Sequence, residues 1–243
     1  MSETPENEPI TKRERSGTRM SLWVSLAVVA VVAIIAVFLV LNPVENDTAP
    51  AAAGQDGTES STDPDRCDAP VGDTSAMPEM PEDLRWEAAN GWTWPVSDTY
   101  GPTQEDNGYG VCFSRSPLGA ALMGVSLIAE GNTGVQLEAV ELYVMESPGK
   151  EVYRRTLTGA APQEDPAVFS GFIVDSFSPD EAQITLVVSV PGSATGYAGI
   201  PETFRWVDGD WKLKVLDNGT IFQGQPTTPA SGSFVSWGVP SAS

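Results

Sequence analysis

Hydrophobic and polar positions divide this chain into distinct zones. Residues 1–20 are polar and charged. Ser21 to Leu41 (SLWVSLAVVAVVAIIAVFLVL) then carries neither a charge nor a proline. About 20 apolar residues cross a bilayer as a helix, so 21–41 predicts one transmembrane helix. From Asn42 to about Asp83 the apolar periodicity disappears among Ala, Pro, Ser, Thr, Asp and Glu. Such a stretch buries too little surface to offset its ordering entropy, and it predicts a disordered acidic tether over 42–83. Periodicity returns over 84–222, the size of one domain. Residues 223–243 are again rich in Ser, Pro, Gly and Thr and predict a flexible C-terminal tail.

Within 84–222 two short strand patterns lead into helical ones. RWEAANGWTWPVSDTYGP, from Arg85, predicts a short strand followed by turns, and Tyr109 to Phe113 a second short strand. Ser116-Pro117 starts a helix with serine at the N-cap and proline at the first helical position. Leu118, Ala121, Leu122, Val125 and Ile128 form its apolar stripe, beside a small-residue face of Gly119, Ala120 and Gly124. Further helices are expected over Val135–Met145 and from Ser147-Pro148. After Ala167 the period becomes that of strands: Phe169–Phe177, Ala182–Val190, Tyr197–Val207 and Trp211–Leu216. Helices followed by antiparallel strands predict an α+β fold with segregated layers.

VDGDW, at Val207, resembles an acidic metal loop but reads as a turn. Asp208-Gly209 suits a two-residue hairpin whose central positions both need positive φ. That register pairs Trp206 with Trp211, Arg205 with Lys212 and Phe204 with Leu213. It puts Phe204, Trp206, Trp211, Leu213 and Val215 on one face, and Arg205, Lys212 and Lys214 on the other beside Asp210. A calcium loop needs more oxygen ligands at regular spacing.

Charge and composition narrow the picture. Lys12, Arg13, Arg15 and Arg19 precede the apolar run, while Glu45 and Asp47 follow it. This asymmetry places the N-terminus in the cytoplasm and the domain outside, as a single-pass protein of the cell membrane. Ala51-Ala52-Ala53 offers an alternative signal-peptide cleavage site. It lies about ten residues beyond a run longer than a signal core, which favours the anchor. The recurrent Ala27, Ala30, Ala33 and Ala36 need only reflect the frequency of alanine in apolar helices.

The formal net charge of -20 argues against nucleic-acid binding. The absence of histidine removes the usual general base and commonest metal ligand. No metal, cofactor or catalytic set is predicted, and the reading is non-enzymatic. Ser147-Pro148-Gly149-Lys150 matches S-x-x-K, but the companion motifs are missing. Lys150, Arg154 and Arg155 make a small basic patch. Asp175 and Glu202 are carboxylates that the sheet has room to bring together.

The two cysteines, Cys67 and Cys112, lack zinc-site spacing. In an oxidising exterior they predict a disulfide that staples the far end of the tether to the domain, worth about 4 kcal/mol on the chain-entropy model. Met123, Tyr143, Phe204, Trp206 and Trp211 are candidates to line an apolar pocket for a lipid or small ligand. The reading that they fill the core is preferred.

The basic tail and span, the Pro- and Asp-rich tether with Cys67, WPVSDTYGP at Trp94, CFSRSPLGAAL at Cys112 and FRWVDGDWKLKVL at Phe204 together carry a resemblance. The chain resembles actinobacterial single-pass membrane proteins with an extracytoplasmic domain of the nuclear transport factor 2-like type. The resemblance implies a cone, with helices packed into a curved antiparallel sheet. Enzymes on that fold use acid–base residues, often His or Asp, inside the cone; here the His is missing. Such anchored domains are similar to inner-membrane scaffolds of conjugation and type IV secretion systems. They are also similar to accessory proteins of mammalian-cell-entry lipid transporters. The expected partners are therefore the membrane and other membrane-complex proteins or a second copy. The leading expectation is a scaffold, with a lipid-transport accessory or ligand-binding protein as the alternative.

Overall fold

The computed structural model describes residue 67 and residues 71–160, 165–222 and 224–238. The expected cytoplasmic tail, the span 21–41 and the tether as far as residue 66 lie outside the described residues. Among the described residues no helix is long and apolar enough to cross a membrane.

Among the described residues the fold is α+β, with three helices and antiparallel sheets. Strands β1 (Leu84–Ala89) and β2 (Trp92–Ser97) form one hairpin. Strands β3 (Gln104–Asp106) and β4 (Tyr109–Val111) form a second. Asn90-Gly91 and Asn107-Gly108 turn them, all four residues at positive φ. Asn-Gly between short apolar runs is a strong hairpin signal. The expected single strand with turns after Arg85 is thus a paired hairpin.

Three helices follow: α1 (Pro117–Thr133), α2 (Gln136–Tyr143) and α3 (Pro148–Leu157). Ser116 and Ser147 cap α1 and α3, each hydroxyl accepting from a backbone N–H three residues on, Gly119 and Lys150. α2 is shorter than expected because Val144 leaves it to bridge Leu213, and Met145 N–H donates to Leu213 O.

The main sheet contains β5 (Phe169–Ser178), β6 (Glu181–Ser189), β7 (Tyr197–Val207), β8 (Asp210–Leu213) and β9 (Val235–Ser236). Its order is β8-β7-β6-β5-β9. The β7–β8 hairpin has the expected register, with Trp206 opposite Trp211 and Asp208-Gly209 at positive φ. Two irregularities interrupt the pairing of β5 with β6.

α1 packs against β2 as well as β5, β6 and β8. It is consequently buried on nearly every side, rather than along the single stripe that the pattern predicts. Small residues permit the approach: a Cβ at Gly124 would stand 2.7 Å from Phe204 and 3.2 Å from Glu202.

Both ends of the domain extend beyond the expected limits. Pro78 is buried, and Met80 packs against the core, so the last part of the expected tether lies on the domain. The expected flexible tail carries β9, which pairs with β5 and buries Phe234, Val235 and Trp237. A Cβ at Gly171 would collide with the Val235 carbonyl oxygen and the Phe234 ring. Three apolar side chains, spaced among small residues, anchor a segment whose composition alone reads as flexible.

Candidate functional site

Two places concentrate chemistry in this domain. The first surrounds the bond between Cys67 and Cys112. Cys67 and Cys112 are disulfide-bonded, with their Cα atoms 5.1 Å apart. Cys112 has φ +66, a left-handed conformation that costs a residue bearing a Cβ. Asp210 holds that conformation in place. Its Oδ2 accepts from Cys112 N–H at 2.9 Å and its Oδ1 from Phe113 N–H at 3.0 Å. The Trp211 N–H also donates to Asp210 Oδ1, and the Trp211 indole donates to Ser114 O at 2.9 Å.

Asp210 was expected on the polar face of the hairpin. It is instead buried, 5 % exposed. Burial pushes its carboxyl up, against the pull of the Phe113 and Cys112 N–H groups. The turn reading of VDGDW therefore accounts for Asp208 and Gly209. Asp210 is the clamp on the strand end that presents Cys112.

The second place is a cleft of about 680 Å³ where β1, β2, β3, β4 and the end of α1 meet. Arg85, Glu87, Trp94, Glu105, Gly110 and Glu130 are among its lining. Alternation along β1 puts Arg85 and Glu87 on one face, with Trp94 directly opposite Glu87. Arg85 pairs with Glu87 at 2.6 Å and with Asp98 at 3.1 Å. Glu105 lies opposite Gly110 in the β3–β4 register, and Gly110 N–H donates to Glu130 Oε2 at 2.9 Å.

Glu130 is 7 % exposed. The Tyr143 hydroxyl stands between its Oε2 and the Gly110 carbonyl oxygen, the latter at 2.7 Å. The one hydroxyl proton of Tyr143 faces two acceptors. Burial, reinforced by Glu87 and Glu105, raises Glu130 to about 7, although the Tyr143 and Gly110 bonds pull the other way. Periodicity could not find this group, because Glu130 falls among the apolar residues of α1 and becomes special only when β4 closes over it.

Glu202 is a third unusual carboxylate, separate from both places. It faces inward from β7 opposite Ile184, and neither oxygen has a hydrogen-bond partner. Burial raises it to about 8. Asp175 is exposed and accepts from Thr185, the neighbour of Ile184 along β6, so it lies on the other face of the sheet. The two carboxylates that the sequence allowed to meet are kept apart by the alternation of β6.

The structure packs the remaining pocket candidates into the core. Met123, Tyr143, Phe204 and Trp211 are buried within one core cluster, and Trp206 packs against it. Trp206 also lies edge-on to Trp211 and carries the Arg115 guanidinium 5.2 Å from its ring centre. The expected basic patch is neutralised from within. Lys150, 1 % exposed, pairs with Glu141 at 3.1 Å and with Glu146; Arg154 pairs with Glu141 at 2.8 Å. Among the described residues no group of three or more Cys, Asp or Glu side chains is placed to hold a metal ion.

Comparison with known proteins finds no curated protein and no solved structure that matches the chain. One family does match, over residues 46–236, a stretch that takes in both Cys67 and β9. Cys67 and the C-terminal strand thus fall within the same matched stretch as the sheet, and the chain belongs to the family described as Domain of unknown function (DUF8175).

Proposed function

We propose that this chain is a non-enzymatic scaffold, anchored in the cell membrane with its folded domain outside. The observation that carries the reading is the fastening at Cys67. The Cys67–Cys112 bond fastens the end of the tether, and the buried Asp210 clamps the backbone on the domain side. A domain fastened in this way has a set attachment point and a shorter leash, which suits assembly at a membrane. The disulfide also favours an oxidising exterior over the cytoplasm.

The packing of α1 and α2 against a five-stranded antiparallel sheet, with α3 beside α2, supports a nuclear transport factor 2-like fold. In such a cone a ligand site is expected inside. Here the inward-facing Met123, Phe204 and Trp211 are fully buried against their neighbours, which favours assembly over an internal ligand. On this reading the partners are subunits of a conjugation or secretion apparatus, or further copies of the chain.

The test is purification of the full-length chain from native membranes in mild detergent, after crosslinking, with identification of what accompanies it. Channel subunits or a secretion ATPase are the expected result. Recovery of lipid-transport subunits would transfer the chain to that system, and recovery of the chain alone as a monomer would overturn the scaffold reading.

A further inference from the structure

Residues 227–237 cross the outer face of the main sheet as a strap, seated in a trough. Gly171 on β5, Val187 on β6 and Gly199 on β7 stand opposite one another in a row across three strands. Val187 shares the outer face with Thr185 and lies outside the main core cluster, yet it is fully buried. The glycines leave room on either side of it. At Gly199 a Cβ would stand 2.3 Å from Thr227 Oγ1 and 3.1 Å from Pro229. At Gly171 it would stand 2.1 Å from the Val235 carbonyl oxygen and 2.5 Å from the Phe234 ring. Gly199 and Thr227 each donate an N–H to the other's carbonyl at 2.9 Å, on a stretch of β7 that β8 does not pair. Phe234 meets the Tyr197 ring edge-on at 5.1 Å.

The strap is held by few groups and follows an open hinge. Pro229, Phe234, Val235 and Trp237 are buried, whereas residues 224–228 and 230–233 are exposed. β9 pairs with β5 at Gly171 and Phe172 alone. The turn before the hinge is fixed: Leu216 N–H donates to Thr220 O, and a Cβ at Gly219 would stand 2.7 Å from Val152. Gly224 then has φ +78 with open space around it, and Gln225 and Pro226 are exposed. An empty trough would present Val187 to water, so it calls for an occupant of this shape. The strap of a second copy is identical to the one that fits. Exchange of an identical element keeps every contact and alters only the course of the hinge. We propose that the strap is exchanged between copies, residues 227–237 of one chain lying in the Gly171–Val187–Gly199 trough of another and the other's strap returning. Each chain's own strap competes at an effective concentration on the order of millimolar. Exchange therefore prevails only where copies are gathered, so the proposal deepens the scaffold reading and rests on it for that crowding.

The experiment co-expresses two full-length versions in equal amounts in the same membranes. One carries the photoreactive analogue p-benzoylphenylalanine in place of Phe234, and the other carries an affinity tag. After irradiation the tagged version is isolated under denaturing conditions and its crosslinks are mapped by mass spectrometry. Exchange puts about half of the Phe234 crosslinks on the tagged version, at Tyr197 and its neighbours. Gly199→Val in the tagged version fills its trough against Thr227 and Pro229 and cuts that capture about fivefold or more. A second arrangement, with the analogue in place of Tyr197 and the link sought at Phe234, keeps a poor fit at one position from deciding the result. Absence of a strap crosslink between copies in both arrangements would overturn the exchange; links between copies at other surfaces would then leave the scaffold reading standing. Capture unchanged by Gly199→Val would overturn it too, because the strap would then lie outside the trough.

Discussion

Replacement of Glu202 by Gln tests the interior directly. The carboxyl of Glu202 is fully buried, lacks a hydrogen-bond partner and is raised by burial to about 8. Unfolded, it titrates near 4.5. A folded-state value above the unfolded one means that the native protein binds the proton more tightly. The stability linked to this group is therefore complete below about pH 4.5, falls as pH rises, and levels off above about 8. At about 1.4 kcal/mol for each pH unit between those values, the ionised form costs the fold about 5 kcal/mol at its limit, and about 3 kcal/mol at pH 7. Gln is close in shape to the protonated acid and does not titrate. Glu202→Gln should consequently change little at pH 5 and stabilise the chain by about 3 kcal/mol at pH 7 and more at pH 9. Urea unfolding followed by tryptophan emission, at matched ionic strength, measures the difference. A mutant-minus-parent stability that stays flat from pH 5 to pH 9 would refute the argument, because it would mean that water or a cation reaches Glu202.

The other predictions concern the two ends of the domain. Asp210→Asn withdraws a charged acceptor from the Cys112, Phe113 and Trp211 N–H groups, and should cost about 2–4 kcal/mol in urea unfolding. It should also make the Cys67–Cys112 bond easier to reduce, read as free thiol released by a mild reductant; an unchanged thiol yield would separate the clamp from the disulfide. Gly171→Ala drives a Cβ into the Val235 carbonyl oxygen and should detach β9, at a cost of about 1–3 kcal/mol. Limited proteolysis should then cut within 224–238 well before the sheet is lost, and a cleavage pattern identical to the parent's would count against β9 as a fastened strand.

Much of the scaffold was legible along the chain because its signals are local. A capping serine followed by proline starts a helix wherever it stands, and so α1 and α3 begin at Pro117 and Pro148 as the residues imply. Asp-Gly between two tryptophans defined the β7–β8 register, since the turn type sets the pairing. The disulfide followed from two cysteines and an inferred compartment. Asn90-Gly91 carried the same hairpin signal as Asp208-Gly209 and would have predicted β1 and β2 on the same grounds.

Tertiary structure decided the rest, because the remaining properties belong to pairs of distant segments. Asp210 is a buried clamp only because residues 112 and 113 come back to it from 97 or more positions away. Lys150 looked like surface charge until the Glu141 and Glu146 carboxylates closed around it. Glu202 alternates onto the inner face of β7, where α1 lies above it, and Asp175 alternates away. A sequence displays the period of a segment, but it does not display what packs against either face. Burial, the titration of a carboxyl and the company it keeps are set by that second surface, and here it was the fold that supplied it.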